Sequence, residues 1–336
     1  MVTLKEIARQ CGVSVASVSK ALNAMPGVSA RTAERIRHAA REMEYIPNAA
    51  AQALKSSRSF TIGVLLEDDE HHGLLHQFFV RLLESFKVAM EAQGFDLTLM
   101  NRTIGRRHVS YLEHCRYSNL DGVLAACVDF ADPQVVELAS SAYPLVSIDH
   151  AYPGHPSVMS DNAAGTRLAV RYAYEMGHRR IAYVTGADSG VTRKRLEGYN
   201  AAMESLGLPV PPGYVAQSHY RDVALTREKA SELLQMPDPP TCILLPDDYA
   251  ALGGLLAAGD VGLGVPEGVS LIGFDGLDMF EHMIPRLTTV RQDAESMGRA
   301  AAALLLERIE GDAGARARSV SVPVSLIHGG TVAPPK

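Results

Sequence analysis

From Phe60 onward, short apolar runs alternate with longer amphipathic ones, and this alternation constrains the fold more than any other feature of the chain. Strand-length runs stand at Thr61–Leu66, Asp96–Met100, Gly122–Ala126, Leu145–Ile148, Ile181–Thr185, Thr241–Leu245 and Val269–Gly273. Stretches of helical period lie between them, among them Phe78–Gln93, Gly165–Met176, Arg195–Leu206, Ala224–Gln235 and Ala294–Ile309. Strands alternating with helices build parallel sheets covered on both faces. The units are too many for one such sheet, which predicts two α/β subdomains.

The first sixty residues follow another pattern. Thr3-Leu4-Lys5-Glu6 is a capping box, in which the Thr3 hydroxyl accepts the Glu6 amide and the Glu6 carboxylate reaches back. Leu4, Ile7 and Ala8 then share one helical face, and Gly12 supplies a tight turn. Ser14 caps a second helix with Val18, Ala21 and Leu22 inward. Pro26-Gly27 marks a loop, and Ser29 caps a third helix from Ala30 to about Glu44, with Ile36, Ala40 and Met43 inward. Three short helices with a glycine turn between the first two read as a helix-turn-helix.

Charge separates the two parts. Residues 1–59 hold nine Lys or Arg against four Glu, a net of +5, which leaves −11 for residues 60–336. A small basic module on an acidic body points to a polyanion as partner of the first part alone. The outward face of the second helix offers Val15 and Ala16 for thymine methyls, Ser17 and Ser19 for bases or phosphates, and Lys20 for guanine or phosphate. Elsewhere the chain lacks an apolar run near the ~18 residues of a membrane span. Charges stand where a secretory leader is apolar, and Cys11, Cys115, Cys127 and Cys242 lie far apart with no metal-ligand spacing. The expectation is a cytoplasmic protein with reduced thiols, away from membranes.

Val2-Thr3-Leu4-Lys5-Glu6-Ile7-Ala8, Gly12-Val13-Ser14, Val18-Ser19-Lys20, Asn23, Val28-Ser29 and Tyr45-Ile46-Pro47-Asn48 resemble the headpiece of the lactose-repressor (LacI/GalR) family of regulators. The resemblance runs through the whole chain. It implies a headpiece over 1–46, a hinge helix and linker over 47–58, and an effector-binding and dimerisation domain over 59–336. That last domain is a two-subdomain, periplasmic-binding-protein-like sensor. Subdomain one is expected at about 59–160 and 290–319, subdomain two at about 161–289 and 320–336, with three chain crossings near 160, 289 and 319. Thr3, Ser14, Asn23, Ser29, Asn48 and Lys55 join the second-helix residues as DNA-contact candidates. Leu54 matches the leucine that the family wedges into the minor groove, a device that trades base unstacking for a bent site. Many members carry Arg where this chain has Gln52. A nine-residue helix such as Pro47–Lys55 does not persist alone in water, so it folds only with DNA and a partner hinge, or else is a flexible alanine-rich linker.

Ligands of open α/β sheets sit beyond the carboxyl ends of strands. Asp275 ends one such strand, Asp247 follows another, Asp149 follows Leu145–Ile148, and Arg195 opens a helix. An Arg and an Asp facing one cleft hold vicinal hydroxyls through charge-assisted hydrogen bonds. By resemblance Arg195 and Asp275 match the family's ligand-clamping pair, Asp247 falls where several members have Asn or Asp, and Tyr220 falls near a stacking aromatic. A strand-end Asp that only caps the next helix, and Arg195 as a surface charge, are the other readings.

Glu67-Asp68-Asp69-Glu70-His71-His72 follows the first strand, with His76 beyond. His72 and His76 at i, i+4 could ligate a metal. The favoured reading is a solvated loop at the cleft mouth with Glu67 toward the ligand, and no metal. Four consecutive acids there disfavour an acidic effector such as a sugar phosphate. Ser17–Lys20 and Ser160-Asp161-Asn162 mimic two parts of a penicillin-binding signature without its K-T-G, and the Gly186–Gly190 loop lacks a phosphate-binding pattern. No cofactor and no catalysis are expected. The sequence therefore predicts a homodimeric, allosteric regulator, a repressor by expectation, that binds a palindromic double-stranded operator and a small sugar-like effector. A C-terminus without a leucine heptad makes dimer the default. The rivals are a sugar-binding protein or an α/β enzyme without a DNA role.

Overall fold

Thr3, Ser14 and Ser29 start three helices by one device: each side-chain oxygen accepts the amide three residues on, at Glu6, Ser17 and Thr32. The computed structural model describes residues 2–46, 58–66, 73–311 and 318–336, and divides the chain into two compact units, Met1–Ser59 and Phe60–Lys336. The first unit holds α1 (Leu4–Cys11), α2 (Val15–Leu22) and α3 (Ala30–Glu42). Gly12, at φ +61°, turns the chain out of α1 in a conformation that suits glycine. Ile7, Val18 and Ile36 are fully buried, and around them Ala8, Ala21, Ala33, Ala39 and Ala40 let the three helices close on one another. The third helix stops at Glu42, two residues short of its expected end, because Glu44 takes a left-handed φ of +50°.

The second unit contains two six-stranded sheets. In chain order its strands are β1 (Thr61–Leu65), β2 (Asp96–Leu99), a small hairpin β3 (Thr103–Ile104) and β4 (Arg107–His108), β5 (Gly122–Ala125), β6 (Leu145–Ile148), β7 (Ser157–Ser160), β8 (Ile181–Thr185), β9 (Val215–Gln217), β10 (Cys242–Leu244), β11 (Ser270–Asp275), β12 (Thr288–Gln292), β13 (Ser319–Val322) and β14 (Val324–Ile327). The described helices of this unit are α4 (Gln77–Glu91), α5 (Tyr111–Tyr117), α6 (Pro133–Ala139), α7 (Asn162–Glu175), α8 (Gly190–Ser205), α9 (Val223–Leu234), α10 (Asp248–Asp260) and α11 (Ala294–Ile309). The first sheet runs β13-β7-β6-β5-β1-β2, all parallel. The second runs β14-β12-β11-β10-β8-β9, parallel except for the antiparallel edge strand β14. Every residue of β5, β6, β8 and β11 is buried, as strands covered on both faces must be.

The chain passes between the lobes three times, at Asp161, Asp293 and Pro323. The second and third passages fall later than the expected 289 and 319. β12 stays in the second sheet as far as the Asp275–Arg291 pairing and Gln292, and β13 stays in the first through the Val322–Ser160 pairing. Residues 290–292 thus belong to lobe two and 320–322 to lobe one, the reverse of the expected division. Helix α11 returns to lobe one and packs on α4, where Gly298 allows close approach: a Cβ there would lie 2.3 Å from the Leu82 carbonyl oxygen.

Candidate functional site

In the headpiece, the hydroxyls expected to read DNA have local partners. Thr3 Oγ1 and its amide donate to Glu6 Oε2 at 2.9 and 2.8 Å. Ser14 Oγ is paired with Ser17 Oγ at 2.9 Å, Ser29 Oγ with Thr32 Oγ1 at 2.8 Å, and Asn23 donates Nδ2 to the Ser19 carbonyl at 2.7 Å. Each is a cap first, and a hydroxyl pair keeps lone pairs and a hydrogen to spare for a phosphate at a helix N-terminus. Ser14, Val15, Ala16, Lys20 and Asn23 are exposed, Ser17 and Ser19 partly so, while Val18 points inward. Arg35 and Arg37 donate to the carbonyls of Cys11 and Ala21, at the ends of α1 and α2, and so lock the three helices together. Asn48, Gln52, Leu54, Lys55 and the expected hinge helix lie outside the described residues, as do Glu67 and the acidic stretch to His72.

In the second unit the carboxyl ends of both sheets face one cleft, which encloses a cavity of about 390 Å³. That size suits a small organic ligand. Asp149, Arg195, Tyr220, Asp247 and Asp275 all line it. Arg195, 3% exposed, donates Nε to Asn162 Oδ1 at 2.8 Å and Nη1 to the Pro246 carbonyl at 2.7 Å, and its guanidinium lies 3.5 Å from the centre of the Phe274 ring. The surface-charge reading of Arg195 is therefore wrong. Burial opposes its charge, but the negative potential of Tyr220, Tyr183, Asp275 and Asp149 outweighs this and raises its pKa. Tyr220 stacks its ring on the backbone of Gly186 and shares a 2.7 Å hydrogen bond with Thr192 Oγ1.

Asp275 ends β11 at φ +117°, a strained position for a side chain, held by Gln292 Nε2 at 2.7 Å and His76 Nε2 at 3.4 Å. Asp247 caps α10 as well as lining the cavity: Oδ1 accepts the Ala250 amide at 2.8 Å and Oδ2 the Arg221 amide at 2.6 Å. Burial, reinforced by Asp275, pushes its carboxyl up to about 6. Asp248, next in sequence, is turned away from the cavity's lining and accepts from Thr289 Oγ1 and the Leu277 amide; burial and then Asp275 raise it well above the ordinary range. Burial likewise pushes Asp149 to about 6, against the pull of Arg195.

Sequence reasoning missed Gln292, Phe78, Phe79, Asp129 and Phe130 in the lining. The signal for Gln292 was its place at the end of a strand-like Thr-Thr-Val-Arg run. His76 caps α4 by accepting the Phe78 amide on Nδ1 at 3.3 Å, and its Nε2 faces Asp275. Among the described residues no three His, Cys, Asp or Glu side chains are grouped to hold a metal ion. Just past His76, Gln77 exchanges hydrogen bonds with the backbone and carboxylate of Asp278, which also pairs with Arg81, so the start of α4 bridges the two lobes beside the cavity.

Residues 3–48 match the model for bacterial regulatory proteins of the lacI family, and residues 170–332 the model for periplasmic binding protein-like domains. The HTH-type transcriptional repressor PurR of Escherichia coli O139:H28 (strain E24377A / ETEC) is 31% identical over 315 residues, covering 92% of this chain and 91% of PurR. The lac repressor dimer bound to operator and the anti-inducer ONPF superimposes with a TM-score of 0.81 at 27% identity, covering 99% of each chain. The complex of the transcriptional regulator CelR with cellobiose does so with a TM-score of 0.70 at 27% identity, covering 98% of this chain and 100% of that one.

Proposed function

The chain belongs to the lacI family of bacterial regulatory proteins, DNA-binding transcriptional regulators under small-molecule control, and from that premise we propose how its residues divide the work. The headpiece, 1–46, reads DNA through α2: Val15 and Ala16 touch base edges, Ser17, Ser19 and Lys20 bond bases or phosphates, and the capped N-termini at Thr3, Ser14 and Ser29 take phosphates. Asn23, Asn48 and Lys55 add backbone contacts, and Leu54 is the wedge of a hinge over 47–58. The remainder, 59–336, binds effector and dimerises, so that the operator is palindromic.

The effector is a small polyhydroxylated molecule. The observation that carries this reading is the cavity itself: a fixed, buried guanidinium at Arg195 and a fixed carboxylate at Asp275 open on the same space, beside Tyr220 and the aromatic side chains of Phe78 and Phe130. Arg195 and Asp275 take ligand hydroxyls, Asp149 and Tyr220 complete the contact, and Glu67 faces the mouth. Asp247 caps α10, holds the Arg221 amide, and keeps a lone pair on each oxygen for the ligand. Ligand in the cleft changes the angle between lobes and so the spacing of the two hinges, which couples effector and operator reciprocally.

The similar proteins are repressors rather than enzymes, and no catalytic role is assigned to any residue here. Among the described residues no helix is long and apolar enough to cross a membrane. The test is a mobility-shift selection on genomic fragments, followed by titration of the retained complex with a sugar panel. Retention of a palindromic site whose affinity changes with one sugar class is the expected result. Failure to retain DNA, or a complex indifferent to every sugar, refutes the proposal.

A further inference from the structure

Two buried hydrogen-bond acceptors in the lining of the cavity between the lobes have no donor. Gln292 is 8% exposed, and its amide donates Nε2 to Asp275 Oδ1 at 2.7 Å. That orientation leaves Oε1 of Gln292 buried and without a donor. On the other lobe, Asp149 is fixed at φ +60°, and its Oδ1 is also buried without a donor. Both side chains line the same cavity. Buried acceptors are normally satisfied, so two orphans from opposite lobes on one cavity mark where a ligand gives hydrogens.

Charge points the same way. Asp149, Asp247 and Asp275 line the cavity against Arg195 and Arg221, an excess of negative charge, with the exposed Asp129 at its edge. Asp247 accepts one backbone amide on each oxygen, so part of its acceptor capacity is already used. Arg195 commits Nε and Nη1 to lobe two, to Asn162 and Pro246. His76 offers its one hydrogen to Asp275.

Resting on the reading of this cavity as the effector site, we infer that the effector is an amino sugar whose protonated amine is received by Asp149 Oδ1 and Gln292 Oε1. An ammonium group brings three donors and one positive charge, which answers both the orphaned acceptors and the excess of carboxylate. A hydroxyl brings one donor and no charge. A carboxylate or phosphate adds acceptors and negative charge where both are already in surplus. The hydroxyls of the sugar remain for Arg195 and Asp275, as in the proposed function.

The experiment is calorimetric titration of the full-length chain with three matched trios: glucose, glucosamine and glucuronate; galactose, galactosamine and galacturonate; mannose, mannosamine and mannuronate. The expected result is that one amino member binds about tenfold more tightly than its neutral parent, the gain of a charged over a neutral hydrogen bond, with the uronate of that trio weakest. Asp149→Asn, and independently Gln292→Leu, should bring amino and neutral members of that trio to within about threefold of each other, since each variant removes one of the charged contacts. A neutral sugar or a uronate as the tightest ligand overturns the inference and leaves the effector site standing. So does an amine preference that both variants retain. Absence of binding in all nine titrations overturns the effector-site reading, and this inference with it.

Discussion

Replacing Asp247 by asparagine separates the cost of a buried charge from the value of a helix cap. In the folded chain this carboxyl titrates at about 6, because burial and Asp275 disfavour its charge. In the unfolded chain it titrates near ~3.9. Folding thus favours the protonated acid. The penalty for ionising it is absent below the unfolded value, grows as pH rises between the two, and is complete above the folded value, where it reaches about 3 kcal/mol. Asparagine carries no such penalty and still offers Oδ1 to the Ala250 amide, since Asn and Asp cap helices about equally. Its Nδ2, however, replaces the oxygen that accepts the Arg221 amide at 2.6 Å. A donor facing a buried donor costs about 1–3 kcal/mol at any pH. At pH 7.5 the two effects nearly cancel, and Asp247→Asn should match the parent or exceed it by up to about 2 kcal/mol. At pH 4.5 most of the charge penalty is gone and the variant should be the less stable. The quantity free of the donor clash is the difference between the two pH values, which comes to about 2 kcal/mol. Urea unfolding of both chains, followed by far-ultraviolet circular dichroism at the two pH values, measures it. A stability difference that does not change with pH would refute the argument.

Arg195→Ala or Asp275→Ala should weaken effector binding by about 2–5 kcal/mol, because each leaves buried ligand hydroxyls without their charged partner, while operator affinity without effector holds; calorimetry with the identified ligand decides, and unchanged affinity rejects the site. Operator affinity should fall steeply with salt, with a slope near ~−0.9 in log K against log salt for each phosphate neutralised, and a flat response would remove DNA from the account. Gly198→Ala should cost about 1–3 kcal/mol or more in thermal unfolding, since a Cβ there would lie 2.2 Å from the Ala163 carbonyl oxygen and force α8 off α7. Gly190→Ala, with nothing within 4 Å, is the control and should be neutral or slightly stabilising.

Much of this was legible in the residues. The caps at Thr3, Ser14 and Ser29 are local chemistry, and buried parallel strands such as β5, β6 and β8 announce themselves as short apolar runs. What escaped depended on distant partners. β7 and β13 are short runs of Ser, Val and Met whose place as strands depends on pairing, β7 with β6 and with β13 from far along the chain. Helix α10 is nearly apolar all round and carries Gly253-Gly254, so periodicity could not orient it; Gly253 is there because the backbone of α9 passes where a side chain would be. At the site, Asp247 and Asp275 are both carboxylates at strand ends. Nothing in sequence distinguishes the one whose oxygens are taken by backbone amides from the one held by Gln292 and His76. That distinction is made by which neighbours the fold brings to each oxygen.

The pairing of β7 with β13 has a consequence for how the molecule is made. Ser157 pairs with Ser319, so the first sheet's edge stays open while the ribosome adds all of lobe two except its C-terminal part, which includes the edge strand β14. At about 5–20 residues per second, that interval is on the order of ten to thirty seconds. Throughout it, the surfaces of β5, β6 and α4 that α11 will cover with Met297, Leu304 and Leu305 remain bare. The nascent chain therefore carries an unfinished apolar face and a free strand edge on the part that emerged earlier, while the inner strands of the second sheet, β12-β11-β10-β8-β9, are already complete. A chaperone acting on this protein would meet lobe one, not lobe two, and release it only when the last forty residues arrive.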